Sequence, residues 1–213
     1  MTNSKGTVVF VHGLYMTGLE LGLLRLRVNQ DGFQTHVFHY HTVLEPVHEN
    51  ARRLAEFITQ LEATTLHLVG HSLGGLVILR MFEMHPVIPS GRVVLMGSPV
   101  RGSIAARNIV DKNWGWLLGQ SGADGLAEEH APVWDSKREL GVLVGTAGPG
   151  FRLTHPELPE PHDGLVAVQE TQIFGATDTV KLNVHHTGML FSQEVADQVI
   201  SFLNNGHFNQ QNT

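Results

Sequence analysis

The chain has 213 residues, 42% of them hydrophobic and 16% charged, with a net charge of −6. That length allows one globular domain with a self-sufficient core, and mild acidity without a block of like charge argues against nucleic acid or an anionic membrane as the main partner. There is no cysteine, which excludes disulfides and cysteine-type zinc sites. No apolar stretch approaches the ~18 residues of a spanning helix, and the first residues lack the pattern of a secretory signal, so a cytoplasmic location is expected.

Residues 7–11 (TVVFV) are apolar or β-branched throughout and end at His12-Gly13, as a strand buried on both faces does. Residues 19–29 carry Leu19, Leu23, Leu24 and Leu26 at helical spacing and stop near Asp31-Gly32; residues 33–40 (FQTHVFHY) alternate as a strand. A helix is expected over 47–62, with Val47, Ala51, Leu54, Ile58 and Leu61 on one face. A strand at 65–70 and a helix at 73–84 follow, the helix closed by His85-Pro86. Strand 92–97 leads into a less regular stretch from 98 to 138. Then come strand 140–146, a Pro/Gly/His-rich excursion from 148 to 162, and strand 178–184. Ser192 is placed to cap a last helix at 193–203, with Gly206 just past its end. Apolar strands alternating with amphipathic helices predict an α/β layered fold, its sheet mostly parallel with helices on both faces, in one domain spanning 1–213.

Between strand 65–70 and helix 73–84 lies Gly70-His71-Ser72-Leu73-Gly74, a G-x-S-x-G pattern. In a nucleophile elbow the serine sits on a sharp strand-to-helix turn, and the residues two before and two after it must be small. Both are glycine here. The turn also sets Ser72 at a helix N-terminus, where free backbone N–H groups favour developing negative charge. A serine hydroxyl needs a base, and the base an orienting acid, expected in the chain order Ser, Asp or Glu, His.

His185 and His186 follow the last strand and are the candidates for the base; if the strand continues in register they point to opposite sides. Asp163, in PHDGLVAV, precedes His186 by 23 positions and is the expected acid. Asp135 and Glu157 compete with it, while Asp178 begins the last strand and belongs to the wrong end of the sheet. An oxyanion hole would take one N–H from Leu73, directly after the nucleophile, and a second from Leu14 in the loop after the first strand. His12 is read as a structural hydrogen-bonding residue.

With these motifs in place the sequence resembles the α/β-hydrolase superfamily, and within it the small bacterial lipases and esterases. VFVHGL is similar to the oxyanion-loop segment, LVGHSLGGL to the elbow, and LMGSPVRGS to the stretch that follows the next strand. HDGLVAV resembles the segment that carries the acid, and HHTGMLFSQEV the one that carries the base. The resemblance implies Ser72, Asp163 and His186 as the triad, with Leu14 and Leu73 as oxyanion donors. It favours His186 over His185 because T-G-M-L follows at the family's spacing. No cofactor is implied.

NWGWLLGQSGADGLAEEHAPVW falls within an insertion at about 104–138, where this fold grows caps. Trp114, Trp116, Leu117 and Leu118 form an apolar cluster there, open to two readings: a lid or acyl-pocket wall, or a helix packed on the body. Trp114, Trp116 and Leu117, with Tyr15 from the first loop, are the candidates to bind substrate. His39 and His41 share a spacing open to metal, but no third ligand lies nearby in the sequence, and no metal is expected. Arg101 reads as a surface residue. The expected function is hydrolysis of a small carboxylic ester with an apolar acyl group. A thioesterase or acyltransferase would use the same residues, and a non-catalytic binder of apolar small molecules would use the same scaffold.

Overall fold

The computed structural model describes residues 4–127, 133–148 and 158–209. Its centre is a six-stranded parallel sheet: β1 (Thr7–Val11), β2 (Gln34–Phe38), β3 (Leu66–His71), β4 (Val93–Met96), β5 (Leu140–Gly145) and β6 (Asp178–Leu182). Their spatial order is β2-β1-β3-β4-β5-β6. The chain goes from β1 to one side, then returns to the other side through β3. Such a reversal leaves a crevice at the carboxyl ends of the two strands, because their connections leave in opposite directions. The loop after β1 and the turn after β3 border that crevice.

Strand side chains alternate between faces, and each face has its own cover. Val9, Val11, Leu66 and Leu68 pack with helices α2 (Val47–Thr59) and α3 (Leu73–Glu83). Val8 and Phe10 pack with α1 (Gly22–Gln30) and the C-terminal helix, α5 (Gln193–Asn205). Cover on both sides is why β1, β3, β4 and β5 are apolar along almost their whole length.

The elements follow the sequence with small shifts. The stripe that α1 and its preceding turn bury is Leu21, Leu24 and Val28, leaving Leu19, Leu23 and Leu26 exposed. β2 ends at Phe38, so His39 and His41 lie beyond the strand, and His39 Nδ1 pairs with the Thr17 carbonyl at 2.9 Å. Ser192 caps α5 by accepting from the Val195 amide, and Gly206 closes it in the left-handed conformation.

The described residues between 98 and 138 are more regular than their sequence suggested. They open with helix α4 (Ile104–Asp111), capped by the Ser103 hydroxyl accepting from the Ala106 amide. Ser103 followed by Ala105, Ala106 and Ile109 is a cap-plus-helix pattern that the sequence contained. Among the described residues no helix is long and apolar enough to cross a membrane.

Candidate active site

The turn after β3 is tight because α3 crosses directly over the sheet. A Cβ on Gly74 would lie 2.1 Å from the Val11 carbonyl oxygen, and one on Gly70 would lie 2.8 Å from the Gly75 main chain. Ser72 takes φ 54°, ψ −123°, a backbone state that costs a non-glycine residue roughly 1–3 kcal/mol and persists only where surroundings enforce it. Part of that enforcement is the Ser72 N–H donating to the Met96 carbonyl at 2.9 Å. Leu73 is the first residue of α3, so its N–H has no acceptor within the helix. The loop after β1 lies against Ser72: a Cβ on Gly13 would come 3.1 Å from the Ser72 Cβ.

Asp163 and His186 meet 23 residues apart in sequence. His186 Nδ1 donates to Asp163 Oδ2 at 2.7 Å, and the His186 N–H donates to the Asp163 carbonyl at 3.0 Å. The other carboxylate oxygen, Oδ1, accepts from the amides of Leu165 (2.9 Å) and Val166 (2.7 Å). Both side chains are buried, Asp163 to 2% exposure and His186 to 7%. β6 stops at Leu182, so the two histidines sit in the turn before a short 3₁₀ helix, Thr187–Leu190. That turn leaves His185 exposed and brings His186 inward.

Of the other acids that the sequence raised, Asp135 and Asp178 lie elsewhere. Asp135 is exposed, Asp178 uses its carboxylate to hold the Phe208 and Thr179 amides, and Glu157 falls outside the described residues. His12 donates from Nδ1 to the Gly13 carbonyl and stacks on Tyr40; burial holds its pKa below the ordinary value. Arg101 is exposed and reaches Gln172.

A cavity of about 290 Å³ opens at Ser72 and His186. Leu14, Tyr15 and Met16 form one side, Ala105, Ala106 and Ile109 of α4 another. Leu118, Leu126, Leu165 and Val166 complete an apolar lining. The expectation for the tryptophans needs correction here. Trp114 and Trp116 are 58% and 75% exposed, and neither they nor Leu117 line the cavity. The 3₁₀ turn Gly115–Leu118 is too short to aim more than one of its large side chains at the body, and the buried one is Leu118.

This wall is pinned to the body. The Gln120 amide donates to the Val43 carbonyl at 2.8 Å, the Ser103 amide to the Leu126 carbonyl at 2.7 Å, and Asn50 Nδ2 to Ser121 Oγ at 3.1 Å.

Glu170 was not singled out by the sequence and is 3% exposed. Its carboxylate accepts from the Ile104 amide at the start of α4 and from the Ala167 amide beside the Asp163 loop, each at 2.5 Å. Burial pushes its pKa up. It thus clamps a wall helix to the loop that carries Asp163. A carboxylate seven residues beyond another has no local signature for such a role.

A family model described as the alpha/beta hydrolase family matches residues 8–208. Among solved structures the chain is similar to the mature Bacillus licheniformis lipase BlEst2, with a TM-score of 0.73 and 18% identity over 88% of this chain and 87% of that one. A metagenomic carboxyl esterase superposes with a TM-score of 0.64 at 18% identity, over 87% of this chain and 66% of the other. The RedJ thioesterase of the prodiginine biosynthetic pathway in Streptomyces coelicolor gives 0.61 at 12%, over 96% and 86%. A search of curated proteins found no match. Likeness at these identities speaks for the fold alone, but the family model spans nearly the whole sequence: the chain belongs to the alpha/beta hydrolase family.

Proposed function

We propose that the protein is a serine hydrolase that cleaves carboxylic esters with a small or medium apolar acyl group. The observation that carries this reading is the buried Asp163–His186 hydrogen bond beside a serine on a strained turn, at the mouth of an apolar cavity. His186 Nε2 takes the hydroxyl proton as Ser72 Oγ attacks the ester carbonyl. Asp163 holds the Nδ1–H, fixing the tautomer and stabilising the imidazolium that forms. The Leu14 and Leu73 amides donate to the oxyanion. Collapse of the tetrahedral intermediate breaks the ester C–O bond, and the alcohol leaves with the proton from His186. Water, activated by the same imidazole, then releases the acid and restores Ser72. No cofactor enters any step.

A volume near 290 Å³ sits at the small end of ligand pockets, about 300–1,000 Å³. Its lining offers an acyl chain methyl and methylene contacts and no charge. Tyr15, 62% exposed and also on the cavity, stands at the rim where the alcohol would leave. A second reading, hydrolysis of thioesters, draws on the similarity to the RedJ thioesterase, since the same residues serve when sulfur is the leaving atom.

The test is labelling by a fluorophosphonate, located by peptide mass, in wild type, Ser72→Ala, His185→Ala and His186→Ala. Labelling at Ser72 that survives only in His185→Ala is expected. A folded wild type that resists the probe would leave a non-catalytic binder of apolar molecules as the better reading. Parallel ester and thioester panels then separate the two chemistries.

A further inference from the structure

His186 has four polar atoms, and the use of three of them is visible. Its N–H donates to the Asp163 carbonyl, its Nδ1 to the Asp163 carboxylate, and its carbonyl oxygen accepts from His71 Nε2 at 3.1 Å. The fourth, Nε2, is the atom that the reaction requires. His71 immediately precedes the nucleophile, so the turn that displays Ser72 also grips the main chain of the base, 115 residues away in sequence.

His71 is wholly buried, and its ring lies 4.8 Å from that of His186, tilted by 46°. A carbonyl oxygen can only accept, so Nε2 must carry the proton. Burial, and then the neighbouring His186, hold the His71 pKa down at about 3, so the ring is neutral and Nδ1 is bare. That Nδ1 is buried without a hydrogen-bond partner among the described residues. An apolar ring would avoid leaving a buried acceptor unpaired. A histidine is needed here only if its one donor does something an apolar ring cannot. Being neutral, it also sets no second cation beside the imidazolium that forms on His186.

We propose that His71 is a positioning residue: its Nε2–H ties the His186 main chain to the nucleophile turn and sets the approach of the imidazole to Ser72 Oγ. The role rests on the serine-hydrolase reading above. It acts on the base and not on the cavity, since His71 is not among the residues that line it.

Two variants separate the donor from the ring. His71→Phe keeps a ring and removes the N–H, whereas His71→Gln restores an N–H at similar reach without the ring. His71→Phe should lower kcat and the rate of Ser72 labelling about 10–100-fold, with KM within about 2-fold, the scale expected when a reacting group is displaced by a fraction of an ångström to one ångström. His71→Gln should recover most of that loss. A folded His71→Phe that reacts at the wild-type rate overturns the proposal, as does a His71→Gln no faster than His71→Phe. Imidazole-nitrogen NMR of the wild type tests it without any variant. His71 should remain a neutral Nε2–H tautomer between about pH 5 and 8, and an Nδ1–H tautomer would overturn the role. A wild type in which Ser72 is not labelled overturns the hydrolase reading itself, and this role with it, whereas normal wild-type labelling with an indifferent His71→Phe removes this role alone.

Discussion

Residues 70–75 and residues 104–126 both border the cavity, but different forces hold them. At the turn around Ser72, main chain meets main chain: α3 lies so close to β1 that a single methyl on Gly74 would overlap the Val11 carbonyl. The wall is held by side chains and by a few hydrogen bonds to the body, through Val43, Asn50 and Ser103. Backbone contact at van der Waals distance has no adjustable part. A wall of alanines and leucines can exchange one side chain for another and stay a wall. On the proposed reading, the rigid region would place the chemistry and the replaceable one would choose the substrate.

The largest effect that would sharpen this contrast is Gly74→Ala. It should cost more than about 4 kcal/mol, the range reserved for unrelieved backbone overlap, and leave little folded protein in a thermal melt. Gly115→Ala in the wall, whose Cβ would meet only Val110 Cγ2 at 3.3 Å at closest, should change stability by less than about 1 kcal/mol. Equal costs for the two would break the comparison.

Next is the pH dependence of the strand that leads to Ser72. His67 and His71, both on β3, have pKa values pushed down to about 4 and about 3, in each case chiefly by burial. The unfolded chain binds a proton at each near pH 6.5. Below that pH the unfolded state holds more protons than the native one, so stability falls as pH falls toward the folded values. About 2 kcal/mol should be lost per histidine between pH 7 and 4.5, read by urea unfolding. His67→Gln should flatten that slope, and an unchanged slope would show that its ring is not held neutral.

A smaller effect is expected from the replaceable wall. Leu118→Ala enlarges the cavity, and should raise the ratio of kcat/KM for longer over shorter acyl esters by roughly 10-fold, as one or two methylene contacts do. A ratio that stays constant would mean the acyl chain lies elsewhere. Smallest of all is Trp116→Ala, 75% exposed and off the cavity. It should alter stability by less than about 0.5 kcal/mol and leave turnover of a monomeric ester unchanged.

Much of the rigid region was legible in the sequence. Gly70, Ser72 and Gly74 sit within five residues, and the sterics that demand small neighbours act over the same distance. Strand runs on both sides are apolar because both sheet faces are covered. The pairing of Asp163 with His186 was less direct. Asp163 and His186 are adjacent only because β6 returns the chain to β5, and the choice of His186 over His185 depends on a turn that buries one and exposes the other.

The wall shows where local patterning fails. Trp114, Trp116, Leu117 and Leu118 cluster in the sequence without distinction, yet the turn of Gly115–Leu118 buries Leu118 and leaves Trp114 and Trp116 outside. Glu170 shows the converse, an unremarkable carboxylate that ties a helix start to the Asp163 loop.

By itself the sequence determined the alternation of strands and helices and the glycine-flanked serine, because each depends on sterics or periodicity within a few residues. Tertiary structure alone decided which apolar side chains form the cavity. It also decided which histidine is buried, and that His71 holds the main chain of His186. Those outcomes depend on contacts between segments that chain order leaves far apart, and local sequence carries no record of such distances.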